Sequence, residues 1–482
     1  MGSCPSGWKP DPTFLTAGAR RRWSAVSVAV LLAMVLVIGD ASMGYASEPA
    51  ERAAAEAAAR SAGDRQVPAV LGAVQAIAAG PRHSVALRSD GTVVVWGYNG
   101  YEPPGHWSPI PVPVCAVFED GRCTRLLSGV IAVAAGEFHS LALLRDRTVV
   151  AWGFNGGGIL GDGTRELRST PVRVCAVGQV APCSQFLSGV RSLAAGDLHS
   201  VAQLTDGTVV AWGWNFYGQL GDGTTDQRLT PVRVCAVGQV APCSQFLTGV
   251  RSIATGGGHT LAAVDSVLAV AWGPNGSGQL GDGTVEERLT PVRVCAVGQT
   301  APCTRFLNAV KAMAGGDTHS MALLGDGRAV TWGNNGDGQL GDGTAVGRLT
   351  PVRVCAMGQT APCDRFLYGI RHISAGGNHS MAQLSSGGVL TWGANGDGQL
   401  GDGTYESRTT PVRVCAVGQA APCTQFLFQI RAIAAGGYHS LALQPNYTVV
   451  AWGLNDLGQL GDGTTETRPI PVQVHAPWPY LS

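Results

Sequence analysis

Residues 190–235 read VRSLAAGDLHSVAQLTDGTVVAWGWNFYGQLGDGTTDQRLTPVRVC. Four short apolar runs stand in this stretch: VRSLAAG at 190–196, HSVAQLT at 199–205, TVVAWG at 208–213 and TPVRVC at 230–235. Asp206-Gly207 joins two of them as a tight hairpin, because two-residue turns need left-handed backbone that Gly adopts readily. The middle runs lack clean polar alternation, as expected of strands covered on both faces by neighbouring sheets. The small residues Ala194-Ala195-Gly196 suit an innermost strand, where strands from several units crowd an axis.

The unit recurs along the chain. Trp-Gly stands at Trp96, Trp152, Trp212, Trp272, Trp332, Trp392 and Trp452, spaced by 56 once and by 60 thereafter. His83, His139, His199, His259, His319, His379 and His439 keep the same spacing. Seven units of four strands predict an all-β fold, a seven-bladed β-propeller of four-stranded antiparallel blades over residues 67–475. The period exceeds the usual ~40 to 45 residues of a blade. Residues 175–189 account for the excess, as a 15-residue insertion on an ordinary blade.

Composition fits a packed chain. Of 482 residues 45% are hydrophobic, which excludes wholesale disorder, and 68 are Gly. Charged residues make up 14%, against about 25% in an average domain. The net charge is zero and the only lysines are Lys9 and Lys311. No polybasic footprint exists, so nucleic acid is not an expected partner.

Arg20, Arg21 and Arg22 precede an apolar run at residues 25–39. Its 15 residues fall short of the ~18 to 20 that span a bilayer, and small residues at Gly44 and Ala46 offer a cleavage site. Residues 1–46 therefore read as a signal peptide, with an uncleaved membrane anchor as the alternative. Residues 47–66 form an Ala-rich linker and residues 476–482 a C-terminal tail. Either topology places the propeller outside the membrane, where disulfides persist.

Twelve of the thirteen cysteines form pairs eight positions apart: Cys115/Cys123, Cys175/Cys183, Cys235/Cys243, Cys295/Cys303, Cys355/Cys363 and Cys415/Cys423. Zinc sites need four ligands, with Cys usually two to four apart, and no His recurs beside these pairs. Six local disulfides are expected, each worth about 2.5 kcal/mol in the chain-entropy model.

The pattern AAGxxHSxALxxDGxVxAWGxNxxGQLGDGT followed by PVxV resembles the regulator of chromosome condensation repeat, over roughly residues 74–474. The resemblance implies a seven-bladed propeller that serves as a platform for protein partners and has no catalytic residues of its own. Secreted members bind and inhibit β-lactamases. The founding activity is guanine nucleotide exchange on a small GTPase, through a wedge extruded from one blade and a basic tail. The family's plant ultraviolet-B photoreceptors carry a Gly-Trp-Arg-His-Thr motif at the AAGxxHS position. Pro81, Glu137, Asp197, Gly257, Asp317, Gly377 and Gly437 stand where that Trp would be, which argues against light sensing.

Residues present in every blade are most simply scaffold. Each His is expected to fix its own blade by hydrogen bonding after the AAG turn. The GDGT aspartates, each followed six residues on by an Arg as in Asp222 and Arg228, are expected to staple loops. Loops such as Asn335-Gly-Asp337-Gly lack the carboxylate density and terminal Glu of a calcium loop. No nucleophile elbow, phosphate loop or HExxH is present. The chain is thus expected to have no catalytic residues, no cofactor and no metal.

Function is sought where blades differ. The first blade replaces GQLGDGT with YNGYEPPGHWSPI, carrying Tyr98, Tyr101, His106 and Trp107. The second has Phe138 and Phe154, and the third Trp214, Phe216 and Tyr217, where the fifth and sixth have Asn334, Ala394, Asp337 and Asp397. Loop aromatics are common anchors of protein interfaces, although they also fold back to pack a loop. These nine residues are the expected site for a protein or cell-surface partner. The expected role is a secreted or cell-surface binding scaffold, as an inhibitor or an adhesion platform. Exchange on a GTPase is the alternative.

Overall fold

The computed structural model describes residues 71–98, 107–119, 122–265 and 268–475. The export segment, the Ala-rich linker and the C-terminal tail lie outside the described residues.

Seven four-stranded antiparallel sheets follow one another along the chain, each made from consecutive strands. In the third blade these are Val190–Ala195, His199–Leu204, Val209–Gly213 and Arg228–Arg233, in that spatial order. The second strand is buried at every position but its last and the third throughout, as their lack of alternation requires. The first strands surround the axis, where their small residues line a narrow channel.

The apolar cores lie between blades. Trp212 is fully buried in a cluster with Leu141, Ala151 and Leu160 of the second blade. At the ring seam, Trp96 packs with Leu441, Ala451 and Leu460 of the last blade and with Leu71. The loop after each Trp-Gly strand reaches the following blade. There the Gln219 carbonyl accepts hydrogen bonds from Trp272 Nε1 and Thr260 Oγ1, both at 3.0 Å. Gly221 is required in that loop: its φ is +69°, and a Cβ would stand 2.7 Å from Trp272 Nε1.

The His ladder corrects the expectation. Each His Nε2 bonds the Ser or Thr that follows the His of the next blade: His139 to Ser200 at 2.9 Å, His199 to Thr260 at 2.9 Å, and His439 back to Ser84 at 2.8 Å. The imidazoles therefore join blades. Ser200 Oγ gives its proton to the Ile159 carbonyl at 2.8 Å, so His139 must donate from Nε2. The unprotonated Nδ1 atoms are buried without a partner. Each of those in the second to seventh blades packs against the AAG glycine of its own blade, and a Cβ on Gly196 would meet His199 Nδ1 at 2.5 Å. Burial pushes the imidazoles down to about 3 or 4, keeping them neutral.

Among the described residues no strand is exchanged between the terminal blades, and Arg468–Gln473 is the outer strand of the last. The seam has the chemistry of the junctions that follow a GQLGDGT loop: the Gln459 carbonyl accepts from Trp96 Nε1 and Ser84 Oγ, both at 2.9 Å. Leu71, the first described residue, is buried in the seam core.

All six cysteine pairs are disulfides, with Cα atoms 5.7 or 5.8 Å apart. The two ends of each bridge differ. Cys115, Cys175, Cys235, Cys295, Cys355 and Cys415 are buried just after the outer strand of their blade. Cys123, Cys183, Cys243, Cys303, Cys363 and Cys423 are only half-buried, in the loop that the bridge closes. These loops also tie neighbouring blades at the periphery. Thr230 Oγ1 donates to the Gln179 carbonyl at 3.1 Å and Thr290 Oγ1 to that of Gln239 at 3.0 Å. The loop staples form as expected. Arg228 holds Asp222 Oδ2 through Nη2 at 2.7 Å and Nε at 2.8 Å, while Asn215 Nδ2 donates to Oδ1 at 3.0 Å.

Candidate functional site

One face of the ring carries the positions at which blades differ. Nearest the axis stand Pro81, Glu137, Asp197, Gly257, Asp317, Gly377 and Gly437, each directly after its AAG turn or its equivalent. The next residue in each blade forms a middle ring: Arg82, Phe138, Leu198, Gly258, Thr318, Asn378 and Tyr438. Outside it lie the residues that follow Trp-Gly. Backbone bonds hold these two rings side by side, from Tyr98 N to Arg82 O at 3.0 Å, Phe154 N to Phe138 O at 2.9 Å and Trp214 N to Leu198 O at 3.0 Å.

The expected aromatics of the first two blades meet on this face. Tyr98 and Phe138 are edge-on with centroids 6.2 Å apart, and Phe138 and Phe154 follow at 6.1 Å. Trp107 opens the outer strand of its blade opposite Tyr98. In the third blade Trp214 and Phe216 lie 4.9 Å apart. Tyr101 and His106 lie outside the described residues. The aromatics divide into rings that pack the core and rings open to solvent. Phe154 and Trp214 pack on the edge of the core between the second and third blades, Trp214 over Gly157. Phe216 is 51% exposed and Tyr217 37%.

The twelve paired cysteines form the expected disulfides and stand apart from the axial mouth. None of Cys123, Cys183, Cys243, Cys303 and Cys363 lines the axial cavity, and each sulfur is consumed in its bridge. Position along the blade is the reason. The cysteine loop follows the outer strand, the one farthest from the axis, so its bridges harden the rim without contributing to the axial mouth.

Residues that the aromatic reading passed over complete the face. The Arg82 guanidinium lies 5.3 Å from the Phe138 centroid, a cation–π contact, and pairs with Glu137 at 3.3 Å. Tyr438 extends the aromatic arc into the last blade, 41% exposed. Burial, and then the charges of Asp317, Asp397 and Asp197, push its phenol up to about 12. Comparing the two variable positions of AAGxxHS between units was the signal that could have found these residues.

The inner ring is acidic. Burial raises Asp197 well above the usual carboxylate range, reinforced by Asp317 and Glu137. Burial likewise raises Asp317, and raises Glu137 against the opposing pull of Arg82. Among the described residues, no group of three His, Cys, Asp or Glu side chains is arranged to hold a metal. Asn335, in the loop considered for calcium, is fully buried and spends its amide on Asp342, Thr344 and Val346.

The model of the regulator of chromosome condensation (RCC1) repeat matches residues 148–203, 206–263, 271–323, 326–383, 386–443 and 448–478. The chain belongs to this family. An RCC1-repeat relative, the ultraviolet-B receptor UVR8 of Arabidopsis thaliana, is 31% identical over 352 residues, covering 72% of this chain and 70% of the receptor. The mouse E3 ubiquitin-protein ligase HERC2 is 28% identical over 82% of this chain, a stretch that makes up 7% of the ligase. Among solved structures, Prp20p of Saccharomyces cerevisiae superposes with a TM-score of 0.59 at 24% identity, over 80% of this chain and 87% of that one. That structure is described with its binding to Gsp1p and histones, and the likeness establishes the shared RCC1-type propeller.

Proposed function

We propose that this RCC1-repeat protein is a secreted or cell-surface, non-enzymatic propeller that binds a protein partner through the face carrying Tyr98, Phe138, Phe216 and Tyr217. The aromatic arc carries the reading. Its members cluster in consecutive blades at positions that the fifth and sixth blades fill with small or polar residues, and large aromatics half-open to solvent are the usual hot-spot anchors. Relatives that act by binding proteins, such as Prp20p, support the class of function. Six disulfides support an oxidising location, since the cytosol keeps thiols reduced. They also weigh against nucleotide exchange, whose GTPase lies in the reducing interior.

Quantitative affinity capture from the native surroundings tests the proposal, with the disulfide-bonded chain from residue 47 as bait. A protein held by the wild type and by Asn334→Ala but lost from the Phe216→Ala, Tyr217→Ala double variant is the expected result. Equal capture by all three baits would remove the aromatic face from the function.

A further inference from the structure

Two acidic side chains, Asp197 and Asp317, line the axial cavity on the proposed docking face with Glu137 nearby, and the fold leaves those two without a hydrogen-bond donor among the described residues. Asp197 and Asp317 accept no hydrogen bond from any described residue, whereas Glu137 is held by Arg82. Protein atoms surround both carboxylates, and each residue keeps a partial opening to solvent at the channel mouth. Glycine makes room for them: a Cβ on Gly257 would stand 2.8 Å from Asp197 Oδ2, and one on Gly377 3.1 Å from Asp317 Oδ2. Both residues line the axial cavity of about 100 Å³, space for a few waters or the head of one side chain. Enclosed carboxylates of like charge that lack hydrogen-bond donors destabilise the free protein and are relieved by an arriving cation.

We infer that the partner of this face inserts a lysine or arginine side chain into the channel mouth, between Asp197 and Asp317. The inference rests on the proposed function and names the chemistry of its partner. The aromatic arc supplies apolar contact around the rim and the axis supplies the charge that selects the inserted residue. Arg82 pairs with Glu137 and lies over Phe138, and its charge reaches Asp197 as the smallest of the effects on that carboxyl. Burial raises both carboxyls, and the charges of Asp317 and Glu137 raise Asp197 further, so a cation arriving between them is favoured.

Carbon-13 NMR of the disulfide-bonded chain labelled at the Asp carboxyl carbon reads the site directly. n-Butylammonium chloride and the neutral 1-butanol serve as probes. The ammonium is expected to move the Asp197 and Asp317 resonances saturably, 1-butanol to leave them in place, and Asp197→Asn with Asp317→Asn to abolish binding while the circular dichroism is kept. Phe216→Ala should leave ammonium binding intact, which separates failure of this inference from failure of the aromatic reading. For a protein captured by the wild type, the double Asn variant should weaken affinity roughly thirtyfold or more. Absence of an ammonium-specific shift, or its persistence in the double variant, overturns the inference.

Discussion

His439 Nε2 lies 2.8 Å from Ser84 Oγ, and that bond joins the last blade to the first across 355 residues of chain. Ser84 in turn donates to the Gln459 carbonyl at 2.9 Å. Replacing Ser84 with Ala leaves the His439 donor and the Gln459 carbonyl one partner short in a dry seam. A loss of about 1 to 3 kcal/mol is expected from an unsatisfied buried group, read as a lower urea midpoint. Ser200→Ala, at an interior junction, should cost a similar amount, because Ser200 bonds His139 and the Ile159 carbonyl just as Ser84 bonds His439 and Gln459. A Ser84 variant as stable as wild type would show that the seam does not need the bond.

Acid should loosen the ring through its imidazoles. Each folded His sits at about 3 or 4 against an unfolded value near 6.5, so the unfolded chain binds more protons between those values. Stability is then fully present above about pH 6.5 and falls as the pH drops toward 4, by up to about 1.4 kcal/mol per pH unit for each His. The raised carboxyls Glu137, Asp197 and Asp317 act in the opposite sense, holding protons the unfolded chain has lost. The imidazoles outnumber them. Thermal melts from pH 7.5 to 4.5 should show a steady decline in Tm, and a flat profile would contradict neutral buried imidazoles.

Two tryptophans at equivalent positions should respond differently to Phe. Trp212 Nε1 donates to the Ile159 carbonyl at 2.9 Å, while Trp152 Nε1 has no acceptor among the described residues, its preceding blade having lost the GQLGDGT loop. Trp212→Phe should therefore cost about 1 kcal/mol more than Trp152→Phe, the net worth of one hydrogen bond. Denaturant melts of the two variants compare them directly, and equal losses would refute the assignment.

The aromatic members should separate in the same manner. Phe216→Ala should weaken partner binding roughly thirtyfold, the scale of a 2 kcal/mol hot spot, with an unchanged Tm. Trp214→Ala should weaken binding and also lower Tm, because that ring covers Gly157 and the core between two blades. Surface plasmon resonance alongside calorimetry measures both. A stable Trp214 variant would place that ring wholly in the interface.

Four regularities made the ring legible: Trp-Gly, the AAG turn, the GDGT loop and the paired cysteines each recur at one spacing. Repetition of that kind reports local chemistry, so the strands, the disulfides between residues eight apart and the Asp222–Arg228 staple were all readable. The aromatics Tyr98, Phe138 and Trp214 were visible as departures from the repeat. What the sequence by itself determined is thus everything decided within one unit.

The tertiary structure decided what passes between units. The partner of His139 lies 61 residues away on the next blade, beyond the reach of any motif within one unit. The direction of that bond is set by how blades stack. Tyr438, Arg82, Asp197 and Asp317 come from four separate repeats and share a mouth only because the ring closes. Closure also turns two scattered acids into an enclosed site, since charges held in one low-dielectric space interact while the same charges far apart in an extended chain do not.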